Sequence, residues 1–130
     1  MQAAIDHPNV KILNCSLNTS HRYIRTYYAR MYEAKFLMGA VAGAMSENGQ
    51  LAYIADYPIF GTIANINAFA LGAKMINPRA RVYLEWSTLK DVDIRFAMEN
   101  VQKKGVTVVS GKDMVIPEDA SRYFGLYHLT

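Results

Sequence analysis

The chain has 130 residues, the length of a single domain; 52% are hydrophobic and 19% charged. That balance excludes a disordered tail and a highly charged surface binder, and no run approaches the roughly 20 apolar residues a membrane-spanning helix needs. Fourteen basic and eleven acidic residues leave +3, too weak a bias to imply nucleic acid, and one cysteine excludes an internal disulfide or a cysteine-based zinc cluster.

Residues 1–7 read as the end of a helix, stopped by His7-Pro8-Asn9. No hydrophobic secretion signal is visible there. Residues 10–15 read as a short buried strand. Cys15 is expected as a buried or half-buried free thiol rather than a lipidated one, because no apolar run precedes it. After a polar connection, a long helix is expected over residues 23–46, ended by Asn48-Gly49. Residues 36–45 of that helix are apolar all round, so this part belongs in a core. Gly39 and Gly43, with Ala40 and Ala44 beside them, form a smooth strip expected to lie against a sheet. In lipid the same spacing would pair helices, but this apolar stretch is too short to span.

Gln50–Ala55 reads as a buried strand. Phe60–Ile76 reads as a helix with an expected buried stripe of Ile59, Ile63, Ile66, Ala70 and Ala73, stopping at Asn77-Pro78. Arg81–Trp86 alternates, with Val82, Leu84 and Trp86 on one face. Residues 91–104 read as a helix burying Ile94, Ala97, Met98 and Val101, with Gly105 at its end. Residues 106–110 and 122–129 read as strands. This alternation predicts an α/β fold: a parallel sheet with flanking helices and right-handed crossovers. Ligands of such sheets sit beyond the carboxyl ends of the strands, here Ser16, Asp56-Tyr57-Pro58, Trp86-Ser87 and Ser110-Gly111-Lys112.

Catalytic patterns are missing from the sequence. His7, His21 and His128 have no ligand-spaced partners, and Cys15 has no evident histidine to activate it. There is no nucleophile elbow, Walker loop or dinucleotide fingerprint. Asp91 and Asp93 read as helix-start residues. The basic-aromatic run over residues 21–30 reads as a connection and first helical turns, with a nucleic-acid surface or a ligand cleft as the other readings. No enzyme activity, cofactor, metal or nucleic-acid partner is expected.

Tyr32-Glu33-Ala34-Lys35-Phe36-Leu37-Met38-Gly39-Ala40-Val41-Ala42-Gly43 resembles the "YEAxYLAGxxAG" helix of the basic membrane protein family. These are substrate-binding lipoproteins of ABC importers that include purine-nucleoside receptors. Gly49-Gln50-Leu51-Ala52-Tyr53-Ile54 resembles its "GKIGFV" strand. Asn67 to Lys74 with Asn77-Pro78 resembles its "xGFxxGAKxxNP" helix end, and His7 to Ile12 its "xPDVKF" strand. Trp86-Ser87 with Asp91 or Asp93 resembles its "W-x-x-x-D" step.

The resemblance implies part of a type I periplasmic-binding-protein fold, in which two α/β lobes close on a ligand between them. Residues 1–46 would end the N-terminal lobe and residues 47–130 begin the C-terminal one. The implied function is binding of a small polar solute, a nucleoside among the candidates, for an ABC permease. The implied setting is an extracytoplasmic, membrane-anchored lipoprotein. The alternative is a ligand-sensing domain of the same fold in a regulatory or signalling protein. The expected ligand-binding residues are Ser16, Asp56, Tyr57, Asn65 and Trp86. Ser16 stands where the family usually has Asp, Ala55-Asp56 where it has Gly-Gly, and Asn65 where an aromatic commonly faces the ligand. Family members are much longer, so the chain is expected to be a piece of a longer protein. By itself it is expected to bind nucleosides poorly and to self-associate as a homo-oligomer through bare sheet edges.

Overall fold

A computed structural model describes residues 5–15, 22, 24–87, 94–113 and 125–129. The chain forms two compact units, residues 1–30 and 31–130. In the first, strands β1 (Ile12–Cys15) and β2 (Ile24–Tyr27) pair in parallel, with Ile12 opposite Ile24. Sequence reading placed residues 24–27 in a helix, and the structure makes them a strand. Ile24, Thr26 and Tyr27 are β-branched or aromatic and favour the extended chain. Cys15 is a free thiol and is exposed, against the burial expected of it.

The second unit opens with α1 (Met31–Met45), so the helix begins at Met31. Glu33 in its first turn complements the positive end of the helix dipole. The order continues β3 (Gln50–Ala55), α2 (Phe60–Ile76), β4 (Arg81–Trp86), α3 (Ile94–Lys103), β5 (Val108–Ser110) and β6 (Leu126–His128). These four strands form one sheet in the order β4-β3-β5-β6. The pairs β3–β4 and β3–β5 are parallel, as the alternation of strand and helix predicts, while β6 runs antiparallel to β5.

Strand β3 is central, and its interior is buried on both faces, which is why its sequence is a continuous apolar run. Leu51, Tyr53 and Ala55 pack with Ala42, Phe69, Ala73, Ala80 and Val108, against α1 and α2. Ala52 and Ile54 pack with Ala97, Val101, Val106 and Val109, against α3. Val82 and Trp86 of β4 pack on the first of these faces, as the alternation predicts, whereas Leu84 between them is exposed.

The glycine strip meets a helix, not the expected sheet. A Cβ at Gly39 would run into the backbone carbonyl of Phe69 on α2, and one at Gly72 into that of Phe36 on α1. A Cβ at Gly43 would lie 2.7 Å from the Ala73 carbonyl oxygen. The two helix backbones therefore touch, which only side-chain-free positions allow. This contact also rotates α2. Its buried residues are Thr62, Asn65, Phe69, Gly72 and Ala73, so of the expected stripe only Ala73 is fully buried, with Ile66 and Ala70 partly so. Ile59 and Ile63 are exposed, at 53% and 40%.

Where the parallel strands begin, Asn48 gathers several bonds. Its Nδ2 donates to the Gly105 carbonyl (2.8 Å), and its Oδ1 accepts from the Gln50 amide (2.9 Å) and the Thr107 hydroxyl (3.3 Å). Gly49 and Gly105 take the left-handed φ (+69° and +70°) that leads each helix into its strand.

Candidate functional site

The second unit holds a buried polar cluster where α1, α2 and the end of β5 converge. Lys35 lies on the same stripe of α1 as Gly39, Ala42 and Gly43, so it is carried inward and is 0% exposed. Its Nζ is 2.8 Å from Asp113 Oδ1, donates to Ser110 Oγ at 3.1 Å and stands 5.0 Å above the Tyr53 ring. Tyr53 points from β3 to the same carboxylate, its hydroxyl donating at 2.6 Å to Oδ2 and 2.8 Å to Oδ1. Asn65, in the second turn of α2, donates from Nδ2 to Asp113 Oδ2 at 3.1 Å. Phe69 closes edge-on against the Tyr53 ring, with centroids 5.4 Å apart.

The charges in this cluster compensate one another. Asp113 accepts from a lysine, a phenol and an amide, which offsets the cost of taking a carboxylate out of water. Burial pushes the Tyr53 hydroxyl well above the ordinary tyrosine range, and the negative charges of Asp113 and Asp56 push it further. It therefore remains a donor at any physiological pH. One atom is left over: Asn65 Oδ1 is buried and has no hydrogen-bond partner.

The expected ligand residues fall into different settings. Asp56 is buried just past the end of β3, and Ser87 Oγ donates to its Oδ1 (3.4 Å) and to the Ala55 carbonyl (3.0 Å). Tyr57 is 54% exposed. Asn65 belongs to the buried cluster, and Trp86 is half-buried against the α1/α2 core. Ser16 lies outside the described residues. Sequence reasoning passed over Lys35, Tyr53, Ser110 and Asp113 as a group. Two signals were present: a lysine four residues before Gly39 on the small-residue stripe, and a tyrosine in an otherwise aliphatic strand interior.

Among the described residues no group of three His, Cys, Asp or Glu is arranged to hold a metal. No helix there is long and apolar enough to cross a membrane. A separate groove between α1 and α2, about 500 Å³, is lined by Tyr32, Glu33, Phe36, Leu37, Ala68 and Leu71 and is almost entirely apolar.

A parallel sheet flanked by helices, with polar groups collected past the carboxyl ends of its strands, is the layout of a ligand-binding α/β lobe. A solved ABC transporter solute-binding protein from Conexibacter woesei has this fold, with a TM-score of 0.65 at 17% identity over 86% of this chain and 39% of that one. The family model described as Bmp, ABC transporter substrate-binding protein PnrA-like, matches residues 2–116, and the chain belongs to that family.

Two curated relatives are similar over part of their length. A purine-binding protein of Brucella abortus is 33% identical over 86 residues, 66% of this chain and 25% of that protein. A Haloferax volcanii protein described as an ABC transporter glucose-binding protein is 32% identical over 83 residues, 64% of this chain and 21% of that one. The matched segment thus spans about a quarter of the curated relatives' length or less.

Proposed function

We propose that the chain is part of the solute-binding component of an ABC importer, binding a small polar solute without catalysis. The observation that carries this reading is the family match across residues 2–116. The solute sits beyond the carboxyl ends of β3 and β4, near Asp56, Tyr57, Asn65 and Trp86, and closure of a second lobe completes its contacts. Hydroxyl, amide and carboxylate groups orient it, and the rings of Tyr57 and Trp86 supply apolar contact. Ligand-driven closure follows from the extra contacts the closed state makes. The component works outside the cytoplasm with an ABC permease and is held at the membrane by a lipid anchor.

Purine nucleosides and glucose are the solutes to test, since the relatives' names cover purines and glucose. Calorimetry on a receptor of the relatives' length that carries this chain is expected to show micromolar or tighter binding of adenosine, guanosine, inosine or glucose. Heats indistinguishable from dilution for all four would remove this choice of solutes.

A further inference from the structure

We propose that Lys35, Asp113 and Tyr53 together lock the Asn65 carboxamide in one orientation, presenting its Oδ1 as an acceptor to a hydrogen-bond donor on the bound solute. The proposal rests on the solute-binding reading above and adds to it how this wall of the site is positioned.

An asparagine side chain has two flip states, and its neighbours decide between them. An ionised carboxylate accepts and never donates, so the Asn65 atom 3.1 Å from Asp113 Oδ2 has to be Nδ2. Asp113 is held as an acceptor by two further donors, the Lys35 Nζ at 2.8 Å and the Tyr53 hydroxyl at 2.6 Å. Lys35 is itself fixed by Ser110 and by the Tyr53 ring. Three elements of secondary structure thus converge to set one amide, and the flip that satisfies Nδ2 strands Oδ1.

Asn65 is 7% exposed and its Oδ1 has no partner. A buried acceptor without a donor is costly and rare in folded proteins. Asn65 sits in the second turn of α2, directly after the Asp56-Tyr57-Pro58 connection leaving β3, which is the ligand edge of a parallel sheet. A solute hydroxyl or amino group arriving there supplies the missing donor, whereas a group that can only accept, such as a fully ionised carboxylate or phosphate, does not. Lys35 offers no counter-charge to such an anion, because Asp113 already holds it. Lys35, Asp113 and Tyr53 are positioning residues in this scheme, acting on the solute through Asn65.

The test is nuclear magnetic resonance on an isotope-labelled receptor of the relatives' length that carries this chain, which detects even millimolar binding. Adenosine and glucose are titrated separately into the wild type and into the Lys35→Met/Asp113→Asn double variant, which removes both charges together. In the wild type, the Asn65 Nδ2 protons are expected to resonate downfield as partners of a carboxylate. The Asn65 13Cγ signal is expected to shift on addition of at least one solute, as its oxygen gains a donor. In the double variant the Nδ2 signature disappears and affinity falls about tenfold, while Asp56 and Ser87 amides still report the solute.

Solute-induced shifts at Asp56 and Ser87 with Asn65 13Cγ unmoved would overturn the proposal and leave the solute-binding reading standing. An Nδ2 signature unchanged in the double variant would overturn the lock. Shifts nowhere in the second unit, with either solute, would remove the placement of the solute at this edge and the role of Oδ1 with it. The wild-type titration needs no variant, so a double variant that fails to fold leaves the acceptor role decided.

Discussion

On the α3 side of the main sheet, Ala52, Ile54, Ala97, Val101, Val106 and Val109 pack as an all-apolar core. On the other side, the same strand β3 sends Tyr53 to a buried lysine–aspartate pair, beneath two helices whose backbones touch. The α3 side is governed by transfer of apolar surface out of water, and any well-shaped set of aliphatic side chains would serve it. The α1/α2 side depends on particular atoms: glycines where carbonyls approach, and a cation whose removal strands an anion. The face with the narrower tolerance is also the one that borders the proposed site, as expected where a binding group must be held to a fraction of an ångström.

The comparison can be broken most directly at Lys35. Lys35→Met is expected to cost about 3–5 kcal/mol in a denaturant melt, because Asp113 is left charged and unpaired in the interior. The Lys35→Met/Asp113→Asn pair should lose clearly less, and equal losses would show that the ion pair is not what this face depends on. Gly39→Val comes next, at about 3 kcal/mol by the same measurement, since its Cβ meets the Phe69 carbonyl and two backbones must separate. A melting midpoint equal to wild type would mean the helices have room to spare. The smallest effect is expected at Ile63→Ser, within about 0.5 kcal/mol, because that side chain is 40% exposed rather than part of the stripe. A loss several times larger would restore the isoleucine stripe as the buried face of α2.

The same contrast explains how far the sequence could be read. On α3, Ala97, Met98 and Val101 recur at helical spacing, and Ala97 and Val101 are buried with Met98 packed beside them. Apolar spacing is a reliable guide there because burial of apolar area is what determines the packing. On α2 it pointed to the wrong face. The isoleucines gave the larger hydrophobic signal, but close approach to Gly39 and Gly43 required Gly72 and Ala73 inward, and these carry Asn65, Thr62 and Phe69 with them. Close backbone contact is signalled by small residues on two helices at once, a correlation that a one-helix periodicity does not register. The parallel order of β3, β4 and β5 followed from the alternation of elements. The direction of β6 did not, since the connection before it carries no helical period. Asp56 was marked from its place past β3, and Asn65 from the family resemblance, at the position where an aromatic commonly faces the ligand. Lys35 and Asp113, 78 residues apart by numbering, meet only through the fold.

Asn48 acts at the far end of the same strands. Parallel neighbours have no tight turn between them to fix which residue faces which, and a slip of one place turns every side chain over. The Asn48 bonds to Gly105, Gln50 and Thr107 fasten the starting points of β3 and β5 to each other from outside the ladder. That one amide therefore serves as a ruler for the alignment. Were β5 displaced by a single position, Ser110 would point toward α3, away from Lys35, and the charge cluster at the other end of the sheet would lose one of its supports.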